Sequence, residues 1–166
     1  MPTELSLESL LKRIERLEDA EAVKKLKAEY AQICDEGYDP DRLAALFVPD
    51  GTWTGGAFGT YIGHEAIRSF FSGISESFVW ALHYVICPNV EICESGDTAT
   101  GTWYIWEPVT MTRTDDPEIT DAVLLMAQYA DDFVKVDGRW YFQTLRANVH
   151  HVTDLDKGWV VQPMRP

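Results

Sequence analysis

The chain of 166 residues is the right size for one domain with a substantial hydrophobic core. Its 14 basic and 27 acidic residues give a net charge of −13, which disfavours nucleic acid and anionic membranes as partners. The N-terminal sequence lacks the apolar core of a signal peptide, and no apolar run reaches the roughly 18 residues of a membrane span. The three cysteines, Cys34, Cys87 and Cys93, lie in apolar patterns, so we expect reduced, buried thiols in a cytoplasmic protein.

The first part of the chain has the periodicity of helices. Apolar residues at helical spacing predict an amphipathic helix over residues 7–17. Asp19 is a candidate N-cap for a second helix, whose apolar stripe spans residues 23–34 and which Gly37 is expected to end. A short third helix is predicted over residues 39–48, before Pro49.

The middle of the chain mixes short elements with a glycine-rich stretch. We predict a short strand at residues 52–54 and a hairpin or loop over residues 55–63. Another helix is predicted over residues 64–71.

The second half changes to long extended runs. Four strands are predicted over residues 80–94, 98–112, 122–136 and 139–152, and the Asp-Gly pair at 137–138 is typical of a tight hairpin turn. Residues 154–166 show no clear pattern. Helices followed by an antiparallel meander predict an α+β fold, with N-terminal helices packed in a curved, mostly antiparallel sheet, as a single domain over residues 1–166.

Three residues form the candidate catalytic group. Tyr30 and Asp35 lie near the end of the second predicted helix, and His83 lies in the strand-like run WALHYVIC, on the same face as Ala81 and Val85. A carboxylate near a helix C-terminus is disfavoured by the helix dipole, so Asp35 needs a partner such as an imidazolium. With His83 as base, Asp35 as its orienting carboxylate and Tyr30 as a donor to substrate oxygen, the three make a proton-transfer site.

Each of these residues also has a structural interpretation. His83 is equally consistent with a buried histidine bonded to a backbone carbonyl, and Asp35 with an exposed carboxylate at a helix end. Tyr30 fits core packing with its hydroxyl at the boundary. The residue pattern alone leaves both interpretations open.

Further side chains are candidates for substrate binding, although core packing explains the aromatic ones as well. These candidates are Trp53, Tyr61, Trp106, Arg146 and Asn148. Glu107 is interpreted as a charge at a strand end. A metal site built from His64, His150 and His151 is disfavoured, because adjacent residues on a strand point to opposite faces. Nucleophile-elbow, phosphate-loop and dinucleotide motifs are absent from the sequence.

Several sequence segments together are similar to a known family. The segments are AEYAQICDEG, PDGTW, WALHYVI, DTATGTWYIWE and VDGRWYF, within roughly residues 17–152. They resemble the SnoaL-like branch of the nuclear-transport-factor-like superfamily, particularly the group of bile acid dehydratase, lindane dehydrochlorinase and scytalone dehydratase. The resemblance implies a cone-shaped α+β barrel, commonly assembled as a trimer.

The resemblance also implies a chemistry. In that group an aspartate near the end of the N-terminal helix pairs with a histidine on the sheet and removes a substrate proton without metal or organic cofactor. Asp35 and His83 match this pair, and Tyr30 matches a tyrosine five residues before the aspartate. The leading hypothesis is therefore a cofactor-independent lyase acting on a hydrophobic cyclic, steroid-like, polyketide or aromatic molecule. An isomerase using the same site and a non-catalytic binding or assembly domain are the alternatives.

Overall fold

The computed structural model describes residues 6–113 and 115–166. Its helices and strands follow one another in an order that places most of the helical residues first. They are α1 (Leu7–Asp35), α2 (Pro40–Ala44), β1 (Phe47–Thr54), a 3-10 turn (Gly56–Phe58), β2 (Thr60–Ile62), α3 (His64–Ser77), β3 (Phe78–Ala81), β4 (Tyr84–Ile92), β5 (Thr98–Thr112), β6 (Thr120–Val136), β7 (Arg139–Asp154) and α4 (Gly158–Val161).

The first two predicted helices are one continuous helix, α1, which Ser6 caps. The prediction that Asp19 caps a second helix is therefore wrong. Asp19 lies inside α1 and is buried, where its Oδ1 accepts a hydrogen bond from Trp140 Nε1 at 2.9 Å and pairs with Lys135 Nζ at 2.6 Å. These partners lie on the sheet, more than 100 residues later, so local sequence could not reveal them.

The end of α1 is set by a Schellman motif. The N–H of Gly37 donates to the carbonyl of Cys34, and the N–H of Tyr38 donates to that of Ile33, both at 3.1 Å. Gly37 has φ 104, a conformation that favours glycine, so the predicted stop is confirmed. Asp35 is thereby fixed as the last helical residue. Tyr38 is held against the last turn of α1 by its backbone bond to Ile33, and its side chain is buried.

The next two helices differ from prediction in length. Residues 47 and 48 of the predicted third helix belong to β1, and α2 ends at Ala44. Helix α3 extends past the predicted end at residue 71 to Ser77. The tail beyond β7 forms the short helix α4, and Met164 bridges to Val152.

The sheet has seven strands in the order β2-β1-β7-β6-β5-β3, with β4 also paired to β5. Every pairing is antiparallel except that of β1 with β7. The second half of α1 packs against the sheet through buried residues including Val23, Leu26 and Ile33. The predicted α+β fold with a curved, mostly antiparallel sheet is confirmed.

One predicted strand is interrupted at a position that matters for the site. Residues 80–94 form two strands, β3 and β4, which lie end to end along β5 with Leu82 and His83 between them. Opposite the gap lies Pro108, which has no N–H to donate to a neighbouring strand. His83 is thus at a strand break, and its predicted place within a regular strand is wrong.

The cysteines match the prediction in part. All three are free thiols, but only Cys34 is buried, whereas Cys87 is exposed and Cys93 is half-buried. Within residues 6–113 and 115–166, no helix combines the length and apolar character needed to cross a membrane.

Candidate functional site

Asp35 and His83 are in direct contact. Asp35 Oδ1 lies 2.7 Å from His83 Nδ1 and accepts a hydrogen bond from the His83 backbone N–H at 2.8 Å. The Leu82 N–H donates to the Pro108 carbonyl on β5, so the next N–H along the chain, that of His83, points away from β5 and can reach Asp35. One carboxylate oxygen therefore holds both the main chain and the ring of His83, which assigns the proton to Nδ1 and leaves Nε2 facing the interior.

The second ring nitrogen of His83 faces another carboxylate. His83 Nε2 lies 3.3 Å from Glu107 Oε1, and Tyr38 Oη donates a hydrogen bond to the same oxygen at 3.2 Å. Glu107 and Tyr38 are both buried. Contacts of 2.7 to 3.3 Å link the four side chains in the order Asp35, His83, Glu107 and Tyr38.

Burial shapes the protonation of this cluster. It raises the pKa of Glu107, with the His83 charge opposing the shift, and it raises the pKa of Tyr38. Tyr38 therefore stays a donor. The raised pKa favours the protonated form of Glu107, whose Oε1 lies 3.3 Å from His83 Nε2.

A small apolar cavity opens beside this pair. Its volume is about 50 Å³, which is room for a few water molecules. His83, Glu107 and Tyr38 supply polar groups, and aromatic and aliphatic side chains form the remaining wall. The wall residues include Phe58, Phe70, Phe71, Phe78, Leu125 and Val149. The site is thus a mostly apolar pocket with a few convergent polar groups, as is typical of small-molecule sites.

Tyr30 and Trp53 lie where the sequence predicts them, in the cavity wall. Trp53 Nε1 donates a hydrogen bond to Tyr30 Oη at 3.1 Å, and both side chains are buried. Burial raises the pKa of Tyr30 well above its usual value, so the phenol keeps its proton. Since Trp53 occupies one acceptor position, the Tyr30 O–H remains able to donate.

Other predicted binding residues lie away from the cavity. Trp106 is on the outer face of β5, exposed, and contacts Trp159 of the tail. Arg146 and Asn148 are exposed on β7, where their neighbours Ala147 and Val149 face the cavity instead. Their predicted role in substrate binding does not fit this placement, because residues of one parity on a strand share one face.

Tyr61 stands behind the cavity wall. Its ring stacks on Phe70, with centroids 4.4 Å apart, and its hydroxyl donates to the Phe58 carbonyl at 2.9 Å. Tyr61 therefore supports two wall residues. The structure places it one layer from the space where a ligand would lie.

Sequence reasoning missed Glu107 and Tyr38. Glu107 has the same parity as Trp103 and Ile105, which are buried, so strand alternation indicates an inward carboxylate. Its neighbour Pro108 is a second signal, since proline inside a strand marks an irregularity. The position of Tyr38 follows from the Schellman motif and has no simple sequence pattern.

A second buried charge pair lies in the same core. Lys27 Nζ is 2.8 Å from Asp131 Oδ2 and 3.1 Å from the centroid of the Tyr129 ring. Burial lowers the pKa of Lys27 to about 8 and raises that of Asp131. Asp131 Oδ1 accepts the Arg146 backbone N–H at 3.1 Å. The ammonium and both carboxylate oxygens of the pair therefore each have a partner within the protein.

Among the described residues, no group of three or more His, Cys, Asp or Glu side chains is arranged to hold a metal ion. His64, one of the three histidines of the metal site that the sequence disfavours, is bonded through Nε2 to the Phe47 carbonyl at 2.9 Å. His151 Nδ1 lies 3.3 Å from the Pro163 carbonyl. His64 and His151 therefore contact different parts of the fold.

Solved structures share this fold. A type 2 hexachlorocyclohexane dehydrochlorinase is 23% identical, with a TM-score of 0.77 over 86% of this chain and 93% of that one. A scytalone dehydratase-like protein from Novosphingobium aromaticivorans is 24% identical, with a TM-score of 0.75 over 86% and 91%. A nuclear-transport-factor-2-like protein with a cystatin-like fold from the same organism has 22% identity and a TM-score of 0.65 over 94% of both chains.

These likenesses define the class of protein by its fold, a helix-filled curled sheet of the nuclear-transport-factor-like type. The family follows from a direct sequence match. The family model of the SnoaL-like domain matches residues 15–146, so the chain belongs to the SnoaL-like domain family.

Proposed function

We propose that the protein is a cofactor-independent lyase that eliminates water or another small leaving group from a hydrophobic cyclic molecule. The observation that carries the proposal is the cluster at the cavity, in which His83 lies between Asp35 at 2.7 Å and Glu107 at 3.3 Å. The dehydrochlorinase and the scytalone dehydratase-like protein that share the fold support an elimination as the reaction class.

In this mechanism His83 removes a proton from carbon. Asp35 holds the Nδ1–H tautomer and stabilises the imidazolium that forms when Nε2 takes the substrate proton. The second bond from Asp35, to the His83 backbone N–H, fixes the position of the ring relative to the cavity. Orientation of this kind reduces the entropy cost of bringing base and substrate together.

Glu107 and Tyr30 are the proposed acids. Glu107 in its protonated form donates to the leaving oxygen, and Tyr38 stabilises the carboxylate that results through the hydrogen bond at 3.2 Å. Tyr30 donates to a carbonyl oxygen on which negative charge develops. Because Glu107 lies beside the base, the proton is removed and the leaving group protonated on the same side of the substrate.

The cavity sets the substrate class. Its apolar aromatic wall suits a hydrophobic ring, but its volume of about 50 Å³ is well below the roughly 300–1,000 Å³ of ligand pockets, so wall side chains must move apart to admit a ring. The polar groups gather near His83, so the substrate carries its reactive C–H and oxygen at one end. A cyclic β-hydroxy ketone has this pattern.

The test is a panel of cyclic hydroxy ketones, hydroxylated aromatic precursors and halogenated cyclohexanes, with product analysis by mass spectrometry. Loss of water or halide, dependent on His83, supports the lyase. A rearranged product of unchanged mass supports the alternative isomerase at the same site. Tight binding of panel members with no product and no solvent deuterium in them contradicts both enzymes and supports a binding domain.

We also propose that copies of the chain associate as a trimer or dimer through the outer face of the sheet. Four large side chains on β4 and β5 are each about half exposed there: Tyr84, Ile86, Tyr104 and Trp106. They form a contiguous apolar surface, because β4 and β5 are paired and these residues share one face. Surfaces of this kind mark interaction sites.

A further inference from the structure

The first part of α1 carries an apolar stripe that its own domain leaves uncovered. Its five members are all exposed, from 39% for Leu10 to 73% for Leu7. They are Leu7, Leu10, Leu11, Ile14 and Leu17. In contrast, Val23 and Leu26 further along the same helix are buried.

The two stripes lie on opposite sides of the helix. With 3.6 residues per turn, the centre of the exposed stripe is about 140° around the axis from the stripe that packs in the sheet. The domain's own sheet therefore cannot cover both. Within residues 6–113 and 115–166, nothing covers the stripe of residues 7–17, which a second chain could bury.

The spacing of the stripe is that of a coiled coil. Leu7 and Ile14 occupy a positions and Leu10 and Leu17 occupy d positions of two heptads. Charged residues flank them, with Arg13 at a g position and Glu18 at the following e position. In a parallel pair of identical helices, Arg13 of one copy faces Glu18 of the other, so the segment is complementary to itself.

The charge of residues 7–18 also favours pairing with the same segment of a second copy. The whole chain carries −13, which opposes association of its copies. Residues 7–18 hold three acidic and three basic side chains, Glu8, Glu15 and Glu18 against Lys12, Arg13 and Arg16, so the segment itself is neutral. Two copies can thus approach along this segment without the repulsion that acts elsewhere.

We infer that residues 7–18 of α1 pair in parallel with the same segment of a second copy, as a short two-heptad coiled coil. The geometry allows it, because the domain packs on the side of α1 away from the stripe, so the two domains lie outside the helix pair. The segment is continuous with the helix buried in the domain core, which anchors it. The inference concerns assembly and is independent of the proposed chemistry.

Disulfide cross-linking of full-length protein tests the pairing directly. In a background with Cys87→Ser and Cys93→Ser, Ile14→Cys places a thiol at the seam. Lys12→Cys, on the opposite side of α1, is the matched control. We expect a disulfide-linked dimer from Ile14→Cys at about tenfold higher yield than from Lys12→Cys, since a positions face each other in parallel coils. Equal yields would overturn the inference.

A charge exchange tests the register. Arg13→Glu and Glu18→Arg each replace two attractive pairs by repulsive ones, so each should weaken self-association in sedimentation equilibrium about fivefold or more. The double variant restores the pairs with reversed sign and should recover the original dissociation constant. Failure of the double variant to recover would contradict parallel pairing, whether or not the sheet face also joins the copies.

Discussion

Two charged clusters are buried in the same core, and they are built in opposite ways. Lys27 and Asp131 pair one cation with one anion, their side chains are 1% and 0% exposed, and Tyr129 covers the ammonium. The cluster of Asp35, His83 and Glu107 places two carboxylates on one imidazole and opens onto a cavity. The first cluster pairs opposite charges away from the cavity, whereas the second places His83 and Glu107 in the cavity wall.

The difference separates a structural from a functional use of buried charge. A buried pair with every group satisfied contributes to a single packing arrangement, and breaking it is costly. Burial raises the pKa of both Asp131 and Glu107, but Asp131 is bonded to a cation, whereas Glu107 faces an imidazole and lines a cavity. Ionisable groups in such a cavity are candidates for an active site. Substitutions at His83 or Glu107 should therefore change mainly activity, and substitutions at Lys27 or Asp131 should change mainly the free energy of unfolding.

The largest expected effect is on activity. His83→Ala should lower turnover of a substrate found in the panel by about 10²- to 10⁴-fold, the usual loss when a general base is removed. Its circular dichroism spectrum should match that of the original protein. His150→Ala, at an exposed position on β7, is the control and should keep full activity. Equal activity in both variants would remove His83 from the mechanism.

A substitution in the Lys27–Asp131 pair should lower the stability of the fold. Lys27→Met leaves Asp131 buried without its partner, so we expect the free energy of unfolding in urea to fall by about 3–5 kcal/mol. Replacing both residues with apolar ones should recover most of this loss. If Lys27→Met left the free energy of unfolding unchanged, the pair would have no structural role.

Glu107→Gln should separate stability from activity. Turnover should fall about 10²-fold, because an amide cannot protonate the leaving group. Since the folded pKa of Glu107 is raised, the folded chain holds its proton to higher pH than the unfolded chain. The Glu107 contribution to stability therefore falls as pH rises from about 4.3 through the folded pKa.

The glutamine variant lacks that pH dependence. Unfolding in urea at several pH values should show the original protein losing stability relative to Glu107→Gln as pH rises above about 4.3. Glu118→Gln, at an exposed site, is the matched control. A variant that becomes relatively less stable as pH rises would show that Glu107 is stabilising when charged.

Tyr30→Phe should have the smallest effect. The hydroxyl accepts from Trp53 and is proposed to donate to substrate, so its loss should reduce kcat about tenfold and leave KM nearly unchanged. The leftover Trp53 N–H should cost about 1–3 kcal/mol of stability. An unchanged kcat would limit Tyr30 to packing.

The sequence predicted the parts of the fold that local patterns control. Helical stripes and strand alternation placed most elements, and the helix dipole pointed to Asp35 as a carboxylate in need of a partner. The strand break at His83 was not predicted because it depends on Pro108 across the sheet. Asp19 was misread as a cap because its partners, Trp140 and Lys135, come close only after folding.

The candidate site was predicted in its first two members and missed in its next two. The residue pattern suggested Asp35 and His83 and the resemblance to the SnoaL-like group favoured them as a pair, which the structure brings into contact. Glu107 required attention to strand parity, which also would have excluded Trp106 from the cavity. Arg146 and Asn148 lie outside the cavity for the same reason, because the register of β7 places Ala147 and Val149 inward.

The measurement that tests the central claim most directly is exchange of carbon-bound hydrogen with solvent. Cyclic ketones that fit the cavity would be incubated in D₂O with the original protein and with His83→Ala, and deuterium beside the carbonyl followed by NMR. If His83 abstracts the proton, the original protein speeds this exchange well beyond the rate with His83→Ala. Equal rates for the two proteins, with ketone bound to both, would contradict proton abstraction by His83.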